Sequence, residues 1–186
     1  MIKTFLIGLA GRARSGKDTV ASMITDQLRA DHGERKGGML VSFADPIKNM
    51  IDAGFHPITD QYTGLKESPI PGIGKSLREL YQTLGTEWGR QMVHPDIWVT
   101  LAMSEVNHYI QRMPVIITDV RFENEAQAIR ERGGHLWHIE RPNAPAANTH
   151  ISEQQQLMQP GDTIIDNSGT LADLRAVVDR QLGLIQ

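Results

Sequence analysis

The chain has 186 residues, 40% of them hydrophobic and 22% charged, with no cysteine and a formal net charge of −3. That length and apolar content suit one domain with a full core, and the absence of thiols excludes disulfides and thiolate metal sites and fits a reducing cytoplasm. A slightly acidic chain offers no global attraction to nucleic acid, and no apolar run is long enough to span a membrane or form a leader, so a cytoplasmic protein that meets anionic ligands with local charges is expected.

The run Thr4-Phe5-Leu6-Ile7 reads as a strand and leads into Gly8-Leu9-Ala10-Gly11-Arg12-Ala13-Arg14-Ser15-Gly16-Lys17-Asp18-Thr19, the layout of a phosphate-binding P-loop. Gly11 and Gly16 bracket four residues, so the backbone can turn tightly and aim N–H groups at phosphate oxygens while Lys17 reaches the β- and γ-phosphates. The helix that follows adds the partial positive charge of its N-terminus. The usual motif puts Ser or Thr directly after the lysine as a Mg²⁺ ligand; here Asp18 stands between Lys17 and Thr19, so the motif alone leaves the metal ligation open. A glycine-rich turn with an incidental lysine is the bland alternative.

Val20, Met23, Ile24 and Leu28 recur at helical spacing as far as Ala30, a glycine-containing turn follows, and Met39 to Phe43 reads as a second strand. Asp45 is placed to cap the next helix, with Pro46 at its first position and Ile47, Met50 and Ile51 as an apolar face. At the carboxyl end of a parallel strand, Asp45 and Lys48 would also lie close to a bound phosphate. Residues 54 to 75, with Gly54, Pro57, Gly64, Pro69, Pro71, Gly72 and Gly74, read as a loop or mobile insertion. Ser76-Leu77-Arg78-Glu79 is a capping box, and the helix after it puts Leu77, Leu80, Tyr81, Leu84 and Trp88 on one face, with Arg78 and Gln82 elsewhere. Gly85-Thr86 interrupts that pattern, so either the helix breaks or something approaches its backbone closely, a ligand or a packed neighbour.

Asp96 opens a helix to about Arg112 with a buried stripe of Val99, Ala102, Met103, Val106 and Ile110. Pro114 to Asp119 is a continuous apolar run ending in a carboxylate, the pattern of a central parallel strand whose Asp119 either helps to hold Mg²⁺ or serves as a strand-terminal cap. After Arg121 and Glu125 a helix runs through Arg132 to Gly133-Gly134, and His135 to Ile139 is a fourth strand. His135 and His138 would face opposite sides of that strand, which argues against a metal pair. A Pro- and Ala-rich segment from Arg141 to about Pro160 has Ser152 as a candidate cap. Asp162 to Asp166 is a fifth strand, and a last helix, Thr170 to about Leu184, turns Leu171, Leu174, Val177, Val178 and Leu182 inward. Alternating strands and helices predict an α/β fold around a mainly parallel sheet of about five strands.

Several of these pieces together resemble one family, the phage-type deoxynucleoside monophosphate kinases of the P-loop nucleoside monophosphate kinase-like fold. They are Gly16-Lys17-Asp18-Thr19, Phe43-Ala44-Asp45-Pro46-Ile47-Lys48, Leu84-Gly85-Thr86-Glu87 with Arg90, Asp96-Ile97-Trp98-Val99, Thr118 to Glu125, and the tail Ile165 to Leu171. The resemblance implies a three-layer fold, with an acceptor-binding region at about residues 50 to 95 and a lid at about 140 to 160, all in a single kinase domain. It also implies ATP and Mg²⁺ as cofactors and transfer of the γ-phosphate to a deoxynucleoside 5′-monophosphate. In this family Asp18 is a usual feature rather than a departure. The donor would be held by Gly11, Arg14, Ser15, Gly16, Lys17, Asp18, Thr19 and, in the tail, Asn167, and the metal by Asp18 and Asp119. For the acceptor the candidates are Asp45, Lys48, Arg78, Gln82, Arg90, Asp119, Arg121 and Glu125, with Gly85 and Thr86 offering backbone approach. Trp98 either lines the base pocket or packs. Lys17, Asp18 and Arg121 would carry the catalysis.

The partner expected is a small-molecule monophosphate, with neither nucleic acid nor membrane, and a homodimer is left open. A phage-encoded chain would act in the host cytoplasm. Two rivals remain: another small-molecule kinase of this fold, such as a dephospho-coenzyme A kinase with Asp45 as base toward a sugar hydroxyl, and a noncatalytic nucleotide-binding module.

Overall fold

In the computed structural model, residues 3–33, 37–62, 64–142 and 157–186 are described. The elements run β1 (Leu6–Ala10), α1 (Lys17–His32), β2 (Met39–Val41), α2 (Asp45–Phe55), α3 (Ile58–Tyr62) and α4 (Leu77–Gln82), which continues as a π-helical stretch (Thr83–Val93). Then come α5 (Ile97–Tyr109), β3 (Val115–Val120), α6 (Glu123–Arg130), β4 (His135–Glu140), β5 (Thr163–Asp166) and α7 (Leu171–Gly183). The chain divides into two compact units, Met1–Ser42 with Met103–Gln186, and Phe43–Ala102.

The first unit is built on a five-stranded sheet in the order β2-β3-β1-β4-β5. Every pairing is parallel. As the middle strand, β1 is buried along its whole length, which is why its five residues are all apolar or glycine. It starts at Leu6 and runs to Ala10, later than the Thr4–Ile7 run suggests, because Leu9 and Ala10 pair with Trp137 and His138 of β4. β2 ends at Val41, two residues before Phe43. One face of the sheet, with Ile7, Leu9, Ile116, Trp137, Ile139 and Ile165, is covered by Val20, Ile24 and Leu28 of α1 and Leu174, Val178 and Leu182 of α7. On the other face Ile129 of α6 packs over Gly8, where a Cβ would stand 2.5 Å from Ile129 Cδ1. Helices on both faces of a parallel sheet make the three-layer α/β arrangement, and each fully buried Leu or Ile contributes roughly 1.5–3 kcal/mol.

Leu171 is 67% exposed rather than inward; it sits in the first turn of α7, beyond the layer closed by Leu174. The α7 start itself follows the sequence: Thr170 Oγ1 accepts from the Asp173 amide while Asp173 Oδ2 accepts from Thr170. Between β4 and β5 only the ends are described, so Ser152 and most of the expected lid, residues 143–156, lie outside the described residues. The chain returning from there is tied to α6. Asp162 Oδ2 accepts from Arg130 Nη2 at 2.7 Å and from the Gln159 amide at 2.9 Å, and His138 Nε2 lies 2.9 Å from it. Arg130 also donates to Glu123 and to the Leu157 carbonyl.

In the second unit the breaker-rich segment is packed rather than loose. It carries α3 and delivers Ile70 into a small core with Ile51 and Leu77, flanked by Phe55, Ile58, Tyr62, Leu80, Tyr81 and Leu84. The apolar residues among the prolines and glycines are the reason. Asp45 is the first residue of α2, with Ala44 at the capping position, so the expected Asp45 cap is not formed. The capping box at Ser76 and Glu79 is present. Where Gly85 interrupts the pattern the helix does not break but widens, and the His94 amide reaches back five residues to the Gly89 carbonyl at 2.9 Å. Trp98 accounts for one of the two glycines: its ring occupies the space where a Gly89 Cβ would stand, 2.3 Å from Cζ2, while a Gly85 Cβ would meet Ile47 Cδ1 at 3.0 Å; the Trp98 indole also donates to the Gly85 carbonyl at 2.7 Å.

Candidate active site

The loop from Gly11 to Gly16 joins β1 to α1, and its path needs left-handed backbone at three residues, Gly11 (φ 146), Arg14 (φ 61) and Gly16 (φ 106). Gly16 caps α1 with no side-chain hydrogen bond, so the first-turn amides of the helix are not taken by a capping side chain. Lys17 lies back across the loop, its ammonium donating to the carbonyls of Gly11 at 2.7 Å and Arg12 at 2.8 Å. Ser15 is buried (2% exposed), and its hydroxyl has no hydrogen-bond partner among the described residues. A buried hydroxyl left that way costs about 1–3 kcal/mol, which a ligand acceptor would relieve. Asp18 and Thr19 are exposed in the first helical turn.

Asn167 follows β5 immediately, and its side-chain amide donates to the Ser15 carbonyl at 2.7 Å. Asp119, near the end of β3, accepts from the Ser42 hydroxyl at 2.7 Å. Just beyond, the buried Glu125 carboxylate accepts from the backbone N–H groups of Arg121 (2.7 Å) and Phe122 (3.1 Å), which fixes the turn into α6 and leaves the Arg121 side chain exposed. Glu125 thus holds the backbone at Arg121. Ser42 was not visible as a site residue: nothing in its local pattern distinguishes it from any serine after a strand, and its partner lies 77 residues away.

The second unit carries the other sequence candidates. Lys48 Nζ pairs with Asp45 Oδ1 at 2.9 Å on the exposed first turn of α2. Arg78 pairs with Glu67. Gln82 and Thr86 are half-buried, and Arg90 donates to the Pro95 carbonyl. Trp98 is fully buried, with its indole N–H given to the Gly85 carbonyl, so of its two expected roles its surroundings describe packing; at Gly85 the close neighbour is Ile47, a packed side chain.

Residues 73–178 match the family described as deoxynucleotide monophosphate kinase, which is more than half of the chain. The chain belongs to the deoxynucleotide monophosphate kinase family. A relative in Acanthamoeba polyphaga mimivirus, named "Putative deoxynucleotide monophosphate kinase", is 32% identical over 187 residues, covering 90% of this chain and 91% of its own. The deoxynucleotide monophosphate kinase of Enterobacteria phage T4 is 27% identical over 146 residues, covering 77% of this chain and 58% of its own. In fold, this family member is similar to the solved dephospho-CoA kinase of Campylobacter jejuni, with a TM-score of 0.56, 14% identity and coverage of 97% of this chain and 96% of that one. Likeness at that identity concerns the P-loop kinase fold alone. Among the described residues no helix is long and apolar enough to cross a membrane.

Proposed function

We propose that this member of the deoxynucleotide monophosphate kinase family transfers the γ-phosphate of ATP to a deoxynucleoside 5′-monophosphate, giving the diphosphate and ADP. The observation that carries the donor side is the loop: left-handed glycines, a lysine folded over it and a buried serine hydroxyl with no partner among the described residues suit a chain of phosphate oxygens. In this reading Gly11, Arg14, Ser15, Gly16 and Thr19 hold the donor phosphates, and Lys17 exchanges its two carbonyl partners for the β- and γ-phosphates. Mg²⁺ needs only one or two carboxylates beside the phosphates, and Asp18 and Asp119 are the candidates. When bound, the ion neutralises charge on the donor oxygens.

An acceptor monophosphate is already largely dianionic at neutral pH, so one of its oxygens attacks the γ-phosphorus without a strong base, and the bond to the bridging oxygen of ADP breaks. The chain's task is to gather two polyanions. Arg121, held by Glu125 through its backbone, is the acceptor-phosphate candidate of the first unit. Lys48, Arg78 and Arg90 are those of the second, with Asp45, Gln82 and Thr86 for the nucleoside. Asp45 needs no role as a base here, unlike in a kinase that phosphorylates a sugar hydroxyl.

Replacing Lys17 by Ala tests the loop. The loop carbonyls that the Lys17 ammonium meets are exposed or half-buried, so the fold is expected to be retained, while kcat falls about 10²-fold or more, as for other charge clamps on a transferring phosphoryl group. Undiminished turnover would remove the loop from the reaction.

A further inference from the structure

We propose that Asn167 is a positioning residue that holds the phosphate-binding loop in register through the Ser15 carbonyl and acts on the donor nucleotide only through that loop. Its backbone N–H donates to the Glu140 carbonyl at 2.8 Å, which carries the β4–β5 pairing one residue further and anchors Asn167 to the sheet. From that anchor its Nδ2 donates to the Ser15 carbonyl at 2.7 Å, across 152 residues of sequence. A peptide group is planar and trans, so once the Ser15 C=O is held toward Asn167, the N–H of Gly16 in the same peptide unit must point the opposite way. One side-chain hydrogen bond thus sets the direction of a loop amide.

Gly16 shows how close the brace is. An added Cβ there would stand 2.5 Å from Asn167 Nδ2, and the backbone already has a φ of 106. Among the described residues no side chain caps α1 at Gly16, and Asn167 holds the carbonyl immediately before that junction. One of the two amide hydrogens of Asn167 is thus committed to protein, at a carbonyl inside the loop.

This inference rests on the reading of the loop as the ATP site. It is tested by measuring the affinities of Mg²⁺-ATP and of Mg²⁺-tripolyphosphate, which has phosphates and no nucleoside, by calorimetry for the unaltered chain, Asn167→Ala and the uncharged, similarly sized Asn167→Leu, with Lys17→Ala as control. The brace predicts that both Asn167 variants lose affinity for ATP and tripolyphosphate by the same factor, about 5- to 30-fold, and that the KM for ATP rises alike. Full tripolyphosphate affinity in the variants, or a loss confined to ATP, would overturn it, the latter in favour of a direct nucleoside contact. An unaltered chain that binds neither ligand, or Lys17→Ala binding both as well as the unaltered chain, would instead refute the ATP site itself and the brace with it. Should Asn167→Ala not fold, Asn167→Leu, which keeps a similar size, lacks the donor and adds no charge, decides.

Discussion

Replacing Asp162 by Asn leaves the volume unchanged and removes a charge from a nearly closed site. The side chain of Asp162 is 6% exposed and that of Arg130 16%. Arg130 approaches with two nitrogens, Nη2 at 2.7 Å and Nε at 3.2 Å, and the Gln159 amide and His138 ring complete the shell. An asparagine offers one oxygen where two accept now, and turns an NH₂ toward a neighbour that donates. Removing one partner of a buried pair costs about 3–5 kcal/mol, and the remaining access of Arg130 to water brings the expectation to about 3 kcal/mol. In a chain of this size that lowers Tm by about 6–12 °C. Burial alone would push the Asp162 carboxyl up, but the hydrogen bonds from Arg130, Gln159 and His138 outweigh it and hold its pKa below the usual carboxylate value. Its stabilising contribution is therefore complete above the unfolded pKa of about 3.9 and is lost as pH falls through the lower folded value. Urea melts at neutral pH and through that acid window provide the assay. A neutral-pH loss under about 0.5 kcal/mol, or an acid slope unchanged in the variant, would refute the reasoning.

Two further outcomes follow from single contacts. Gly89→Ala drives a Cβ to 2.3 Å from the ring of the fully buried Trp98, and the resulting shift should cost about 2–3 kcal/mol in a urea melt; a variant as stable as the parent would contradict the packing assigned to that helix. Ser42→Ala removes the 2.7 Å hydrogen bond to Asp119 and should lower kcat/KM about tenfold while far-UV circular dichroism is unchanged, and unchanged kinetics would show that this bond does not orient Asp119 for the reaction.

What could be read from the sequence was set by local rules. Glycines with left-handed backbone at fixed spacing, a lysine beside them, two capping boxes and the alternation of apolar runs all act within a few residues. The contacts that escaped reading are distant in the chain, as in Asn167 with Ser15, Ser42 with Asp119 and Arg130 with Asp162. The π-helical stretch escaped for a different reason. Its apolar residues keep helical spacing, and the approach of Ile47 to Gly85 and of Trp98 to Gly89 comes from residues outside that pattern. Exposure at element ends was also out of reach: Leu171 follows the periodicity of α7, but the core stops short of it.

The most direct test is a turnover panel, in which ADP release from ATP and Mg²⁺ is followed with each common deoxynucleoside monophosphate, each ribonucleoside monophosphate and dephospho-coenzyme A as acceptor. The account predicts ADP release matched by diphosphate formation with at least one deoxynucleoside monophosphate and none with dephospho-coenzyme A. Release with dephospho-coenzyme A alone, or nucleotide binding with no transfer to any acceptor, would contradict it.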